Sequence, residues 1–390
     1  MKNYYDIVVV GGGPAGTVAA RFAAERGMSV LILEKDRDIG YPVRCGEAIS
    51  HAGVAEFIDP DPAFISSTIS KFAFIAPDGT EVVIPLEEKG YILERRIFDY
   101  ELAKKAADKG AEILTRAYVN GLIIDSGRVC GVKYEFRGEQ KEIRCKIVIA
   151  ADGVESRVGR WAGIKTYTDF RDMECCVQMT VANITDRDRD TCYFYFGEKF
   201  APQGYFWIFP KSNGAANIGL GVSGKVGKKR PAISFLNDFM EKKYPESAVL
   251  TSIAGGVPSV TTLEKISAPG IIIVGDAARQ VNPLSGGGIA SGMIGGSIGG
   301  RIAAESILAG DEKHLLTYDK AWNERLGKRH EIFDRIKNGI YYFTDEKFNA
   351  IAHSFSKIEY EKRTIGNLFK TALLNHPSLL IDIARVFLVR

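Results

Sequence analysis

The first thirty-four residues restrict most strongly what this chain can become. Asp6-Ile7-Val8-Val9-Val10 has the apolar run of a buried strand, and Gly11-Gly12-Gly13-Pro14-Ala15-Gly16 follows without a spacer. A helical pattern covers 17–26, Gly27 turns the chain, and a second apolar run at 30–33 ends on Glu34. Strand, glycine turn, helix, strand and acid in this register form the dinucleotide fingerprint. In that reading Gly11 turns the chain out of the strand, Gly13 lets a pyrophosphate approach the backbone, and Gly16 lets the helix pack close to the sheet. Free N–H groups at the helix start face the phosphates. A carboxylate at Glu34 accepts hydrogen bonds from both hydroxyls of an adenosine ribose and repels a 2′-phosphate, which argues against NADP at this site.

With 390 residues there is room for a large core and two domains. A formal charge of +3 with no long basic tract gives no reason to expect nucleic acid. Cysteines 45, 130, 145, 175, 176 and 192 have neither disulfide-framework nor zinc-site spacing. The chain enters a core strand by residue 7 without a secretory leader, and no apolar run reaches about 18 residues. The expectation is a cytoplasmic protein whose contact with a membrane, where it has one, is peripheral and on the inner face.

After the acid, Asp38-Ile39-Gly40-Tyr41-Pro42-Val43-Arg44-Cys45-Gly46-Glu47-Ala48 reads as a loop opening a short helix, placed to run beside the middle or far end of a long dinucleotide. Cys45 has Arg44 beside it and an expected helix start next to it, two features that favour a thiolate. A buried structural thiol is the other reading. Alternation at 72–76 and 82–85 around Pro77-Asp78-Gly79 predicts a hairpin and the start of a second sheet. Tyr91-Ile92-Leu93 is expected to return to the first domain. Arg95 and Arg96 open a helix; one of them can reach cofactor phosphate or ribose, the alternative being a solvated pair. Strands are expected at 111–114, 118–124, 129–136 and 141–145.

Ile147-Val148-Ile149-Ala150-Ala151-Asp152-Gly153 is a buried strand ending in an acid and a glycine, which suits ligand contact at the carboxyl edge of a sheet. Residues 172–224 are rich in strand formers and hold the most aromatic stretch, Tyr205-Phe206-Trp207-Ile208-Phe209-Pro210. A mostly antiparallel sheet with such a face can wall a pocket for a bulky apolar substrate, or serve as a core or dimer face. A helix is expected at 231–244 and a turn at Gly255-Gly256-Val257-Pro258.

The second sharp signal is Ile271-Ile272-Ile273-Val274-Gly275-Asp276, a strand that stops at glycine and aspartate. Pro283-Leu284-Ser285-Gly286-Gly287-Gly288-Ile289 then opens a long helix to about 308. Asp276 can hold a polyhydroxyl chain, and the helix offers its positive end to a partial negative charge. A reduced flavin carries such a charge near N1 and O2, so a flavin suits the pattern better than a nicotinamide. Gly292, Gly295, Gly296, Gly299 and Gly300 are costly in a helix and imply very close packing against the first helix or the cofactor. Residues 318–390 are helical in character. The apolar clusters of 365–390 suit a cover over the substrate cavity, a lipid-surface contact or a cap on the core.

These segments, in this order, resemble the FAD-binding fold of the para-hydroxybenzoate hydroxylase group. Pro42-Val43-Arg44-Cys45-Gly46-Glu47 and the tyrosine–x–tryptophan–x–phenylalanine–proline run at 205–210 resemble the geranylgeranyl reductase family, in particular its archaeal members that saturate the isoprenoid chains of ether lipids. The resemblance implies an α/β fold: a Rossmann-like FAD-binding domain (1–70, 91–170 and 262–310), an inserted, mostly antiparallel sheet substrate domain (71–90 and 171–261), and a helical C-terminal region (311–390). It implies that Ala15 and Glu34 contact the adenosine diphosphate half of FAD, that Cys45, Gly46 and Ala48 line the flavin side, and that Arg96, with Arg95 as the near alternative, is the cofactor arginine. The strand end near Asn120 would touch adenine through its backbone. Asp276 would hold the ribityl or pyrophosphate region, Gly288 and Ile289 would face the isoalloxazine through N–H groups, and Tyr205 and Trp207 would shape a lipid tunnel.

The implied reaction reduces double bonds of a geranylgeranylated glycerophospholipid by hydride from the flavin, with Cys45 as proton donor or relay. No second glycine fingerprint is present, which leaves NAD(P)H docking, a ferredoxin or another small reductant as electron donor. A flavin monooxygenase acting on an apolar or aromatic substrate shares the cofactor motifs and is the rival reading. A lipid carrier without flavin is the second rival.

Overall fold

The computed structural model describes residues 2–364 and 366–368. The first strand, Tyr4–Val10 (β1), is buried from Ile7 onward, so it must have neighbours on both sides and cover on both faces. It pairs in parallel with Val30–Leu33 (β2) and with the second half of Glu139–Ala150 (β3). Glu112–Leu114 extends the sheet in parallel beyond β2, and Ile271–Ile273 does so beyond β3. Residues 141–145 and 147–150, expected as two strands, form one. The first half of β3 alternates exposed and buried positions and pairs antiparallel with Arg128–Phe136, while the second half is buried throughout and pairs in parallel with β1. One strand thus changes its sequence period where its surroundings change from half-solvated to fully covered.

Pro14–Ala24 (α1) leaves the glycine turn and packs along Ile289–Ala309 (α2). The glycines of α2 set that distance. A Cβ at Gly296 would stand 2.2 Å from the Ala15 carbonyl oxygen, and one at Gly300 would stand 2.1 Å from that of Ala19. The close packing at Gly296 and Gly300 is therefore against α1, whereas Cβ atoms at Gly295 and Gly299 would meet Gln280 at 1.9 Å and Ile272 at 2.9 Å.

The second sheet carries Glu174–Ala182 (β4), Gly204–Pro210 (β5), Ala216–Ser223 (β6) and Ala248–Val257 (β7), in the order β7-β4-β6-β5. It continues through Thr191–Tyr195, Ile65–Ile75, Glu81–Leu93 and Ala48–Ser50. The hairpin expected at 72–76 and 82–85 is longer. Glu81–Leu93 runs unbroken, so Tyr91-Ile92-Leu93 stays in this sheet opposite Ala48–Ser50. Glu87, Glu88 and Lys89 resemble a break in sequence but are exposed positions of the same strand. The turn expected at Gly255-Gly256 is also strand. These glycines pair with Cys176 and Cys175, and a Cβ on Gly256 would meet Met173 Sδ at 2.7 Å.

One face of this sheet is covered by the helix Ala232–Lys243, whose Phe235, Leu236 and Met240 join a core with Val177, Phe206, Ile218 and Leu220. The alternate residues point the other way, across a cavity to the first domain. Lys328–Ile340 (α3) and Asp345–Ser356 (α4) close that cavity from the C-terminal side, and Phe355 of α4 packs on Ala76, Val82 and Ile84. No helix among the described residues is long and apolar enough to cross a membrane. Of the stretch 365–390, only 366–368 are described; Leu368 lines the cavity and the remainder lies outside the described residues.

Gly296→Ala and Gly300→Ala set two effects against each other. Helix propensity alone would stabilise each variant by about 1 kcal/mol. Overpacking against α1 costs about 1–3 kcal/mol. Both variants are expected to unfold at lower temperature than the parent chain; a rise would show that the helix contact yields.

Candidate functional site

The site is a single cavity of about 1210 Å³ between the two sheets. Its apolar wall is the inward face of the second sheet, where Phe72, Phe74, Phe194, Tyr205, Trp207 and Phe209 form a continuous aromatic surface. Phe194 stacks on Phe74 with ring centres 5.6 Å apart and meets Phe209 edge-on at 5.4 Å. Tyr205 and Trp207 lie 5.7 Å apart. Gly219 leaves the space that the Trp207 indole occupies, since a Cβ there would lie 2.6 Å from Cζ2. The Tyr205 hydroxyl donates to the Ser285 carbonyl at 2.5 Å, tying the aromatic wall to the loop before α2.

The opposite wall is made of backbone. Gly13 and Gly288 are the N-caps of α1 and α2; neither helix has a side-chain cap, and both starts border the cavity. First-turn N–H groups have no intrahelical acceptor, so two positive helix ends look into one space. At Gly13 a Cβ would meet nothing within 4 Å, which leaves the backbone open to a ligand. Gly11, with φ +106°, and Gly16 allow tight closure instead: Cβ atoms there would strike the Ala151 and Gly11 carbonyl oxygens at 2.2 and 2.0 Å. Asp276 lies beside Gly288 in the cavity wall, its carboxyl raised by burial against the opposing charge of Arg95. Uncapped helix ends, an open backbone at Gly13 and a buried acid between them suit a group with a pyrophosphate and an electron-rich ring.

Of the residues expected from sequence, Gly13, Ala15, Gly16, Cys45, Gly46 and Ala48 border the cavity, as do Tyr205, Trp207, Asp276, Gly288 and Ile289. Glu34 lies behind the glycine turn. Its two oxygens accept from Gly12 N at 2.7 Å and Asp36 N at 2.8 Å, so it braces the turn as well as ending β2. Arg96 is exposed and sits over the Tyr41 ring at 5.3 Å. The neighbouring Arg95 is the one in the cavity wall, held by two hydrogen bonds to Asp99 at 2.6 and 2.7 Å. Asn120 is exposed on its strand, its side chain donating to Gln140 at 2.8 Å.

Cys45 differs from expectation in two respects. No helix starts beside it, because Ala48–Ser50 is a strand, and the cation that acts on its sulfur is Arg95 rather than the exposed Arg44. Burial pushes the thiol up, and neither Arg95 nor the Glu47 N–H outweighs that. Cys45 is therefore a neutral thiol near neutral pH, not a thiolate.

The residues that hold the Cys45 loop were not singled out by the sequence reading. Gln178 accepts from the Trp207 indole N–H at 3.0 Å and donates to the Cys45 carbonyl at 2.9 Å, joining the aromatic wall to the loop. Glu47, at φ +71°, is buried and accepts from Lys211 Nζ at 2.6 Å, Asn217 Nδ2 at 2.7 Å and Arg95 N at 2.8 Å. The available signal was a polar residue inside an apolar strand, as Gln178 is in β4 and Asn217 in β6.

The geranylgeranyl reductase catalytic domain family matches residues 172–257, which contain all four strands β4–β7. The pyridine nucleotide-disulphide oxidoreductase family matches residues 5–184. A digeranylgeranylglycerophospholipid reductase of Methanocella arvoryzae is 42 % identical over 391 residues, covering 98 % of this chain and 99 % of its own. Digeranylgeranylglycerophospholipid reductase 2 of Methanococcoides burtonii is also 42 % identical, over 99 % of this chain and 97 % of its own. A geranylgeranyl bacteriochlorophyll reductase-like protein of Thermoplasma acidophilum has a TM-score of 0.92 at 32 % identity, with 98 % of this chain and 99 % of that one covered. A flavin-dependent brominase shares the fold, with a TM-score of 0.72 at 18 % identity over 98 % of this chain and 93 % of its own.

Two outcomes follow from the buried polar loop. Lys211→Met leaves a buried carboxylate without its cation and is expected to cost about 3–5 kcal/mol in urea unfolding. Adding Glu47→Gln should recover part of that loss; strict additivity would mean the pair is not coupled. Peptide mapping after iodoacetamide at pH 7 should find Cys45 alkylated slowly, because its thiol is neutral there. Fast labelling would restore the thiolate reading.

Proposed function

The chain belongs to the digeranylgeranylglycerophospholipid reductase family, and from that premise we infer how its cavity works. The protein is a flavin-dependent oxidoreductase that reduces isoprenoid double bonds in the geranylgeranyl chains of archaeal ether phospholipids. The observation that carries this reading is one cavity in which two uncapped helix ends face an aromatic wall, so that an anionic cofactor and an apolar chain meet in the same space.

We propose FAD as the flavin. Gly11, Gly13, Ala15 and Gly16 receive its pyrophosphate on the start of α1, and Glu34 takes the ribose. Arg96 and the backbone near Asn120 serve the adenosine end. Asp276 takes the ribityl chain, Gly288 and Ile289 offer N–H groups to the ring, and Cys45, Gly46 and Ala48 border its other side. Bound and reduced, the flavin supplies the hydride.

The protein's own residues position the alkene and exclude water. Tyr205 and Trp207 press an isoprenoid chain against the flavin side. Their geometry is fixed by the Ser285 and Gln178 hydrogen bonds, and an isolated alkene needs this placement because it is a poor hydride acceptor. Cys45 is a catalytic contact at that edge, where its neutral thiol borders the flavin. The electron donor is NAD(P)H, a ferredoxin or another small reductant. We place the protein in the cytoplasm with peripheral contact to the inner membrane face, because its substrate is a lipid.

The purified protein is expected to show a flavin spectrum. After anaerobic reduction with dithionite, it should add two hydrogens per double bond to a geranylgeranylated glycerophospholipid as the flavin reoxidises. Mass spectrometry of the lipid decides the matter: no gain of hydrogen, or a gain of oxygen in air, would overturn the reductase reading. Unchanged turnover in Cys45→Ala would remove that thiol from catalysis.

A further inference from the structure

Each hydride added to an alkene must be matched by a proton, and an apolar cavity holds little water to supply one. Few groups in the wall can do so. Glu47 is tied to Lys211 and Asn217, and Asp276 lies at the cofactor end beside Gly288. Burial pushes the thiols of Cys45, Cys176 and Cys192 and the phenol of Tyr205 upward, which makes them weaker acids.

Glu174 stands apart. It opens β4, whose cavity-facing residues are Glu174, Cys176 and Gln178. Cys176 lies opposite Gly221, and Gly221 lies opposite Tyr205, so Glu174 is one step along the sheet from the Tyr205 row. It also lies opposite Val257, which neighbours Gly286 in the loop before α2. One carboxyl oxygen is hydrogen-bonded to the Tyr341 hydroxyl. The other is buried and has no hydrogen-bond partner among the described residues. Tyr341 follows α3 and lines two spaces: this cavity and a small surface depression formed with Tyr342, Thr344 and Asp345. It links Glu174 to the outside.

We propose that Glu174 is the proton donor of the lipid cavity and that Tyr341 is the route by which it is reprotonated from solvent. The assignment rests on the reductase reading and refines it. The substrate π bond breaks and two C–H bonds form. Hydride from the reduced flavin, which is oxidised, goes to one carbon; the proton of the Glu174 carboxyl goes to the other. The O–H bond of Glu174 breaks; the Tyr341 hydroxyl then gives its proton to the carboxylate as it takes one from water, so that its phenol, made a weaker acid by burial and by Glu174, is never left ionised. Tyr205 and Trp207 hold the chain, and Cys45 borders the flavin.

The surroundings of Glu174 suit this task. Burial lifts its carboxyl to about 7, with the Tyr341 hydrogen bond and the Lys337 charge opposing the rise. The titratable groups that face it are Cys176 on its own strand, Tyr205 on β5, and Lys337 and Tyr341 from the C-terminal side, with Asp334 paired to Lys337; Cys175 lies on the other face of β4. Its partners on β6 and β7, Ser223 and Val257, do not titrate. Below about pH 7 the acid is neutral and able to donate; above it, the donating form is lost. An acid matched to the working pH is a better donor than a thiol pushed upward.

The test is single-turnover lipid reduction by protein whose flavin has been reduced beforehand with dithionite, followed from pH 5 to 9. The parent chain should lose rate above about pH 7. Glu174→Gln should bind and reduce flavin normally, turn over lipid about 10²–10⁴-fold more slowly, and lack that pH limb. Glu174→Asp should recover part of the rate with a displaced limb. A Glu174→Gln protein that keeps the parent rate and limb overturns the assignment and leaves the reductase reading intact. Infrared titration provides a readout that does not depend on lipid turnover. A protonated-carboxyl band that disappears near pH 7 in the parent and is missing in Glu174→Gln supports the proposal, and a parent without that band overturns it. Failure of every protein to reduce the lipid, with flavin bound, would instead count against the reductase reading.

Discussion

The buried carboxylate of Glu47 joins the two halves of the molecule. Its oxygens accept hydrogen bonds from Lys211 and Asn217 of the second sheet's sequence and from the backbone of Arg95 at the start of a helix in the first domain. Lys211 also donates to the Leu93 carbonyl and pairs with Glu94 at 3.0 Å. A buried ion pair is a doubtful source of net stability, because desolvating both charges offsets their attraction. Its effect is geometric. With Glu47 pinned from three directions, Cys45 and Gly46 are held against Gln178, Asn217 and Phe209, and the loop is fixed between backbone wall and aromatic wall.

That placement explains why two domains enclose one reactive space. The first domain brings α1 and α2 together because Gly296 and Gly300 let the helices approach to backbone contact. Their uncapped starts, at Gly13 and Gly288, consequently open onto the same cavity. The second domain supplies what a dinucleotide fold lacks, a broad apolar face. Covering its outer side with the helix Ala232–Lys243 leaves the inner side free to be aromatic. Backbone dipoles hold negative charge on one side, and rings hold hydrocarbon on the other. A hydride transfer to an unactivated alkene needs both within reach of one another.

How far this was legible in sequence depended on the range of the interaction. The glycine turn, the strand ends at Ala150 and Ile273, and the aromatic run at 205–210 are local patterns, and each sits where its pattern placed it. The errors came where partners distant in sequence decide the outcome. The arm at 82–85 and Tyr91-Ile92-Leu93 are expected as separate strands, but the chain continues between them and Ala48–Ser50 pairs with it at Gly90. Gly255-Gly256 read as a turn, yet β4 fills the ladder opposite and Met173 packs where a side chain would have been. For Cys45 the adjacent Arg44 leaves a thiolate and a buried thiol both open in sequence, and the cavity and Arg95, fifty residues away, decide for the neutral thiol. Glu47, Gln178 and Asn217 had no role readable from sequence, since their meaning lies in hydrogen bonds that span the two domains.

One physical effect sets the titration of the whole cavity. Removing a group from water disfavours its charged form. For the thiols of Cys45, Cys176 and Cys192 and the phenol of Tyr205, that shift moves proton release further above neutrality. For a carboxylic acid the same shift moves release toward neutrality, and Glu174 reaches about 7. An apolar cavity built for a hydrocarbon chain therefore silences these thiols and the Tyr205 phenol as acids in their own right and brings a carboxyl into range. The aromatic wall and the acid are consequences of the same exclusion of water. Glu174 occupies the end of β4 where that wall gives way to α3, where Tyr341 can connect it to solvent without opening the rest of the cavity.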